Sequence, residues 1–156
     1  METNVASDRD FKLWVLYRQT CHAITTAGEN ELRQLGISSR QAAVLSIVKT
    51  VTVPATPAEI SRWLFRQPHT VSGLLNRMEK QGLVRKVKDL ERKNMIRIVL
   101  TEKGEQAYQR SREVKVVDKI LSCLSPKERD SLRRYLKALR KKALEEIGVG
   151  YQLPFP

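Results

Sequence analysis

Residues 56–84, "TPAEISRWLFRQPHTVSGLLNRMEKQGLV", constrain the chain more tightly than any other stretch. Two helix-start signals fall close together. Thr56 is placed as a cap, Pro57 fits the first helical position, and Glu59 closes a capping box. Pro68 opens a second helix in the same manner, and Gly82 ends it, with Lys80 in the last turn where the helix dipole favours a cation. Ile60, Trp63 and Leu64 give the first helix a buried side, while Val71, Leu74, Leu75 and Met78 form a stripe on the second. Two short helices, over roughly 56–64 and 68–81 and joined by about four residues, make a helix-turn-helix.

The next stretch reads as strand. "LVRKV" is a short extended segment. "MIRIVL" alternates, with Ile96, Ile98 and Leu100 on one side and Arg97 on the other. The polar "KDLERKN" between them is the tip of a hairpin, and a hairpin after a helix-turn-helix is a wing. Its basic residues are Arg85, Lys86, Lys88, Arg92, Lys93 and Arg97, against Asp89 and Glu91 alone. The whole chain leans the same way, with 29 Lys+Arg against 17 Asp+Glu and a net charge of +12. Such an excess suits an anionic partner, nucleic acid ahead of a membrane surface; charge kept for solubility is the plain alternative.

Further helices flank this unit. Ser7 is expected to cap the first, with Asp8 and Asp10 in its opening turn and Phe11, Trp14, Tyr17, Cys21 and Ile24 recurring at helical steps until Gly28. Ser38 and Gln41 form a capping box before Ala42, Leu45 and Val48. Thr101 caps a long helix reaching about Leu124, and Val114, Val117, Leu121 and Leu124 form a coiled-coil-like seam, with an intramolecular core as the other reading. Ser125, Pro126 and Glu128 start a last helix whose stripe is Leu132, Tyr135, Leu136, Leu139 and Ala143; Gly148 and Gly150 end it before an extended tail.

With its apolar stripe turned inward, the helix from Pro68 leaves His69, Thr70, Ser72, Gly73, Asn76 and Arg77 outside. A helix entering a major groove needs such a slim face, free of carboxylates that would repel phosphate. Asn76 suits adenine and Arg77 guanine by bidentate bonds, although either would serve as a phosphate ligand; Thr70 and Ser72 sit where a helix N-terminus attracts phosphate. A plain solvated polar face is the bland reading. The wing adds a ribbon able to place an arginine in a minor groove. Ser38, Arg40, Gln67, Lys88, Arg92, Lys93, Asn94 and Arg97 complete the expected contact set.

These stretches resemble the multiple-antibiotic-resistance regulators, the MarR family. "TVSGLLNRMEKQGLV" looks like the family's recognition helix and its exit into the wing, "IVLTEKG" like the second wing strand entering a dimerisation helix, and "LSPKERDSLRRYLKAL" like the start of the final helix. The resemblance implies a mainly α fold with a small β-hairpin wing: a winged helix-turn-helix lobe over 37–101, between dimerisation helices in 1–36 and 102–156. It implies a homodimer binding a near-palindromic DNA site as a transcriptional regulator, in the commonest mode a repressor. It also implies a small aromatic or anionic effector held between dimer helices and lobe, with Trp14, Tyr17, Arg18 and His22 as lining candidates or simply as residues of the first helix. The wing departs from the pattern of an aspartate followed by two basic residues. An ungapped match places Arg92, Lys93 and Asn94 there; a one-residue shift places Glu91, Arg92 and Lys93. Arg92 is the favoured minor-groove residue.

Other readings stay on the table. A non-specific architectural DNA binder needs only the charge excess, and a winged-helix protein-interaction module would grip an acidic partner. Relatives that respond to organic hydroperoxides pair an N-terminal-helix cysteine with a C-terminal one, and Cys21 and Cys123 lie in similar regions; Cys21 otherwise reads as a small buried hydrophobe of its stripe. Catalysis finds little support. Ser46 and Lys49 match an S-x-x-K spacing in mid-helix without companion motifs, two histidines are too few for the usual zinc sites, and no glycine loop cradles phosphate. No cofactor or metal is expected. "METNVASDRDF" has no leader pattern and no apolar run approaches a membrane span, so a cytoplasmic protein is expected, which two cysteines in a reducing compartment also suit.

Overall fold

A computed structural model describes residues 5–88 and 95–149. In chain order it contains α1 (Val5–Gln34), α2 (Ser39–Thr50), α3 (Pro57–Trp63), α4 (Pro68–Lys80), β1 (Val84–Lys88), β2 (Ile96–Leu100), α5 (Glu102–Ser111), α6 (Lys115–Leu121) and α7 (Pro126–Glu146). The two strands pair antiparallel, with Val84 opposite Leu100 and Lys88 opposite Ile96. This is the expected mainly helical fold with one small hairpin.

Start signals in the sequence act as written. Ser38 and Gln41 form a reciprocal capping box on α2, as do Ser125 and Glu128 on α7. Thr56 and Thr101 cap α3 and α5 through their side-chain oxygens. On α3 the box is only half made, because the Glu59 carboxylate turns to Arg62 at 2.7 Å instead of to the cap. Three helices stop at a left-handed glycine, namely Gly36, Gly82 and Gly148. At Gly82 the termination is a Schellman pair: Leu83 N–H reaches back to Met78 O at 2.9 Å and Gly82 N–H to Glu79 O at 2.9 Å.

Several expected boundaries move. Ser7 does not mark the start of α1, since the helix already includes Val5. Nor does α1 fade at Gly28; it continues to Gln34 and stops before Gly36. One interior glycine costs a helix only about 0.5–1 kcal/mol, and the space beside it is not tight: a Cβ on Gly28 would meet Val117 Cγ2 of α6 at an ordinary 3.9 Å. The long helix expected from Thr101 to Leu124 is two helices, broken over 112–114. Valines at 114, 116 and 117 disfavour helix locally. The restart is capped from far away, because the Glu31 carboxylate accepts the backbone N–H groups of Lys115 at 3.0 Å and Val116 at 2.8 Å. Those two bonds, the Lys115 amide first, hold the Glu31 carboxyl below its ordinary value. The valine seam therefore meets α1 of its own chain, at least at Val117.

One core cluster lies inside the lobe. Val44, Leu45, Ile60, Leu75 and Met78 are fully buried there with Ile98, Ala107 and Tyr108 close to it. Each such large apolar side chain contributes about 1.5–3 kcal/mol. Val44 and Ile47 of α2 are buried beside Leu45, so that helix buries a broader face than the Ala42, Leu45, Val48 stripe. Ile96 was expected inside but is exposed, because it pairs with Lys88 beyond the edge of the core; Ile98, two residues on, is buried. α5 is pressed against the start of β1: a Cβ on Gly104 would sit 1.9 Å from the Leu83 carbonyl oxygen. The Ile98 N–H donates to the Ala55 carbonyl at 2.9 Å, which ties the hairpin to the segment before α3.

Candidate nucleic-acid interface

The rotation of α4 is set by Val71, Leu75 and Met78, which are buried against the core, and by the half-buried Leu74. His69, Thr70, Ser72, Asn76 and Arg77 are all exposed on the remaining surface, with Gly73 half-buried among them and open space where its Cβ would stand. The first turn of α4 carries no acidic side chain, and its N-cap Gln67 makes no side-chain capping bond. Pro68 has no N–H, and the Thr70 and Val71 N–H groups donate to the Gln67 carbonyl at 3.0 and 3.2 Å, so an anion at that end would be met by the helix dipole and the exposed Thr70 and Ser72 hydroxyls.

The turn before α4 is unusual. Phe65 has φ 51°, the described non-glycine residue in left-handed conformation, and is about half exposed at 49%. It closes α3 as a glycine would, with Arg66 N–H bonded to Ser61 O at 3.1 Å. Ser61, buried, donates its hydroxyl to Arg66 O at 2.6 Å and fixes the angle between the two helices.

Along one flank of α4 a cleft of about 580 Å³ opens towards α2 and the end of α1, lined by Arg33, Ser38, Arg40, Leu74, Arg77 and Gln81 among others. Gln41 donates to the Gln81 side-chain carbonyl at 2.6 Å and joins α2 to α4 across it. Ser38 and Arg40 are thereby brought beside Arg77. The Ser38 hydroxyl oxygen already accepts the Gln41 N–H, so its first duty is structural.

On the other flank lies the wing. Cross-strand pairing puts Lys86 and Lys88 on the ribbon face shared with Ile98 and Ile96, and Arg97 on the opposite face with Val87. Lys86 turns towards α4. Its Nζ donates to Asn76 Oδ1, and the same ammonium pairs with Glu79 at 3.1 Å. The Lys86 backbone N–H also donates to Glu79 at 3.0 Å. That amide first, and then the ammonium, hold the Glu79 carboxyl below its ordinary value. Arg97 instead lines a second cleft, of about 570 Å³, with Val53, Pro54 and the Lys49–Glu105 pair. Arg92, Lys93 and Asn94, together with the Glu91 alignment, lie outside the described residues.

Lys86, Glu79, Gln41 and Gln81 were not expected at the site. Lys86 was legible only as one basic residue among several; the seven-residue spacing to Glu79 across a turn carries no periodic signal. Cys21 also differs from expectation. It is exposed and free, as is Cys123. The neighbouring Cys21 sulfur, first by hydrogen bonding and then by repulsion between the two groups' ionised forms, pushes the Tyr17 hydroxyl pKa up, with slight burial adding to it. Among the described residues no group of histidine, cysteine and carboxylate side chains is disposed to hold a metal, and no helix is long and apolar enough to cross a membrane.

The fold and this surface define a winged helix-turn-helix protein. The sequence profile of the MarR family matches residues 35–93, which include α2, α3, α4 and β1 and stop short of β2. Among solved structures, the organohalide-sensing transcriptional regulator RdhR-CbdbA1625 is 33% identical over 86% of this chain and 81% of its own, with a TM-score of 0.74 in both its ligand-free and 2,4-dichlorophenol-bound forms. An uncharacterised HTH-type transcriptional regulator of Bacillus subtilis, YfiV, is 25% identical over 150 residues, 93% of this chain and 91% of that protein. The S. aureus MepR–DNA complex shares the fold, at 22% identity and a TM-score of 0.71 over 82% of this chain and 94% of that one. The chain belongs to the MarR family: it is a transcriptional regulator of a DNA-binding class, and its family and fold neighbours are regulators, not enzymes.

Proposed function

We propose that the protein acts as a homodimeric repressor on a near-palindromic operator. α4 of each copy fills a major groove while the tip of each wing, with Arg92 foremost, follows the adjacent minor groove. The observation that carries this is the outer face of α4, where His69, Thr70, Ser72, Asn76 and Arg77 stand exposed with no carboxylate until Glu79, itself engaged by Lys86. Dimerisation through residues within 1–36 and 102–156 is supported by apolar side chains left in water on α1 and α7, such as Trp14 at 50% and Leu139 at 60% exposure. That RdhR-CbdbA1625 has been solved with 2,4-dichlorophenol supports a small aromatic effector for this chain, and Arg33, Arg40 and Arg77 around one cleft suit an anionic group on it. An effector acts by binding one spacing of the two lobes more tightly than the other. The absence of a membrane-crossing helix among the described residues accords with a place in the cytoplasm beside the DNA.

The reading is tested by titrating the full-length protein against its crosslinked, sequenced genomic sites in the presence of excess bulk DNA. Retention of a preferred duplex is expected, and loss of all preference would leave the architectural binder in its place. Arg92→Ala should weaken binding and lower the salt slope by about one; unchanged slope and affinity would remove Arg92 from the interface. Exposure of Cys21 and Cys123 also favours a second, thiol-based reading. Operator affinity that is unaltered by organic hydroperoxide would exclude it.

A further inference from the structure

Asn76 stands where a base-reading residue would, on the exposed face of α4, and a free asparagine there pairs naturally with adenine. Its amide would donate to adenine N7 and its carbonyl oxygen would accept from the N6 amino group. In this chain that oxygen is already held. The Lys86 ammonium has donors only, so the Asn76 atom facing it must be Oδ1, and the orientation of the amide follows without ambiguity. Glu79 keeps the ammonium in place twice over, through the side-chain pair at 3.1 Å and through the Lys86 backbone N–H at 3.0 Å. That oxygen keeps a second lone pair, but an incoming amino group would have to approach it beside a cation. The groups that face a base without that repulsion are the Asn76 NH2, with two donors, and beside it the third N–H of Lys86.

We propose that Lys86 is a specificity-determining residue: by holding one lone pair of Asn76 Oδ1 and setting its positive charge beside the other, it makes the Asn76–Lys86 pair act as a donor-only reader that selects guanine, whose O6 and N7 are both acceptors, over adenine. Thymine, with O4 as its acceptor, ranks second, and cytosine, which offers an amino donor, is rejected with adenine. Lys86 is a positioning residue in this scheme, acting through the amide it orients. The inference rests on α4 lying in a major groove, as proposed above.

The experiment is selection from random duplexes by the full-length protein and three variants, each checked for a parent-like thermal transition. Asn76→Ala identifies the base position that Asn76 reads. At that position the parent should prefer guanine, Lys86→Met should shift the preference towards adenine by about tenfold, and Lys86→Arg, still donor-only, should keep guanine. Adenine preferred by the parent, or a Lys86→Met variant with the parent's preference, overturns the inference while leaving the groove reading intact. No change with Asn76→Ala overturns it as well. A parent that selects no sequence at all removes the groove reading, and this inference with it.

Discussion

Between Ile37 and Tyr108 the chain buries most of its large apolar side chains, Val53, Phe65 and Ile96 excepted, whereas much of the apolar surface of α1 and α7 stays in water. Among the described residues, every buried hydrophobic residue apart from Leu32 lies in that central span. α7 buries none of its residues, and on α1 Phe11, Leu13, Trp14, Leu16 and Tyr17 are 47–64% exposed. Both regions have comparable helix-start signals, so local propensity does not separate them. Topology does: the lobe folds back on itself through the hairpin, while α7 buries no residue and α1 meets α6 of its own chain towards its C-terminal end, at Gly28 and Glu31. The lobe is therefore closed by one copy of the chain, while the apolar faces of α1 and α7 are left exposed by it.

The sharpest way to break this contrast is a pair of glycine substitutions. Gly104→Ala in the lobe drives a methyl group against the Leu83 carbonyl oxygen, where its Cβ would stand 1.9 Å away. A loss of about 3 kcal/mol or more is expected in urea unfolding, because backbone is the obstacle on both sides. Gly28→Ala in α1 meets only Val117 at 3.9 Å, an ordinary contact, and should instead stabilise by about 0.5–1 kcal/mol. Equal effects at the two sites would mean that α1 is packed as tightly as the lobe.

Next in size is the effect on association. Leu139→Asp changes a residue that is 60% exposed in the single chain, so the lobe's own unfolding should move by less than about 0.5 kcal/mol. If α7 is an interface, the same substitution shifts sedimentation from dimer to monomer at micromolar concentration. A parent protein that sediments as a monomer would show that these faces are simply solvated.

Smaller is the release of strain at the turn between α3 and α4. Phe65→Gly relieves a left-handed φ of 51° and, with its ring half in water, loses little packing. About 1 kcal/mol of added stability is expected from thermal unfolding. A loss would show that the Phe65 ring packs usefully.

The last test is of pH. Glu31 has a lowered carboxyl pKa because it caps α6 through the Lys115 and Val116 amides. A depressed carboxylate stabilises above its unfolded value, near 4.3, and that contribution disappears as pH falls through the lowered folded value. Protection of the Lys115 and Val116 amides from exchange, relative to the intrinsic rate at each pH, should fall in that acid window and, in Glu31→Gln, should be lower already at neutral pH. Unchanged exchange in the variant would mean that α6 holds its start without the cap.

Much of the fold was legible because its signals are local. Ser38 with Gln41, Ser125 with Glu128, and Pro68 at a helix start each act within one turn, and the alternation at Ile98 and Leu100 needs only a neighbouring strand. The exposed face of α4 was legible for the same reason, since three buried residues on one helix determine which side is left. Misread boundaries came from a distant partner and from a weak stop signal. The restart at α6 is capped by Glu31, 84 residues away, and α1 runs past Gly28 because a single interior glycine weakens a helix without ending it.

By itself, then, the order of residues determined where helices start, which of their faces are apolar, and that a basic hairpin follows the two short helices, because each of these is settled by groups a few bonds apart. Tertiary structure alone decided that Lys86 holds the Asn76 carbonyl, that Gln41 meets Gln81, and that Gly104 must lie against Leu83. Those contacts exist only once the lobe's core has packed, and packing fixes distances between side chains that no local periodicity encodes.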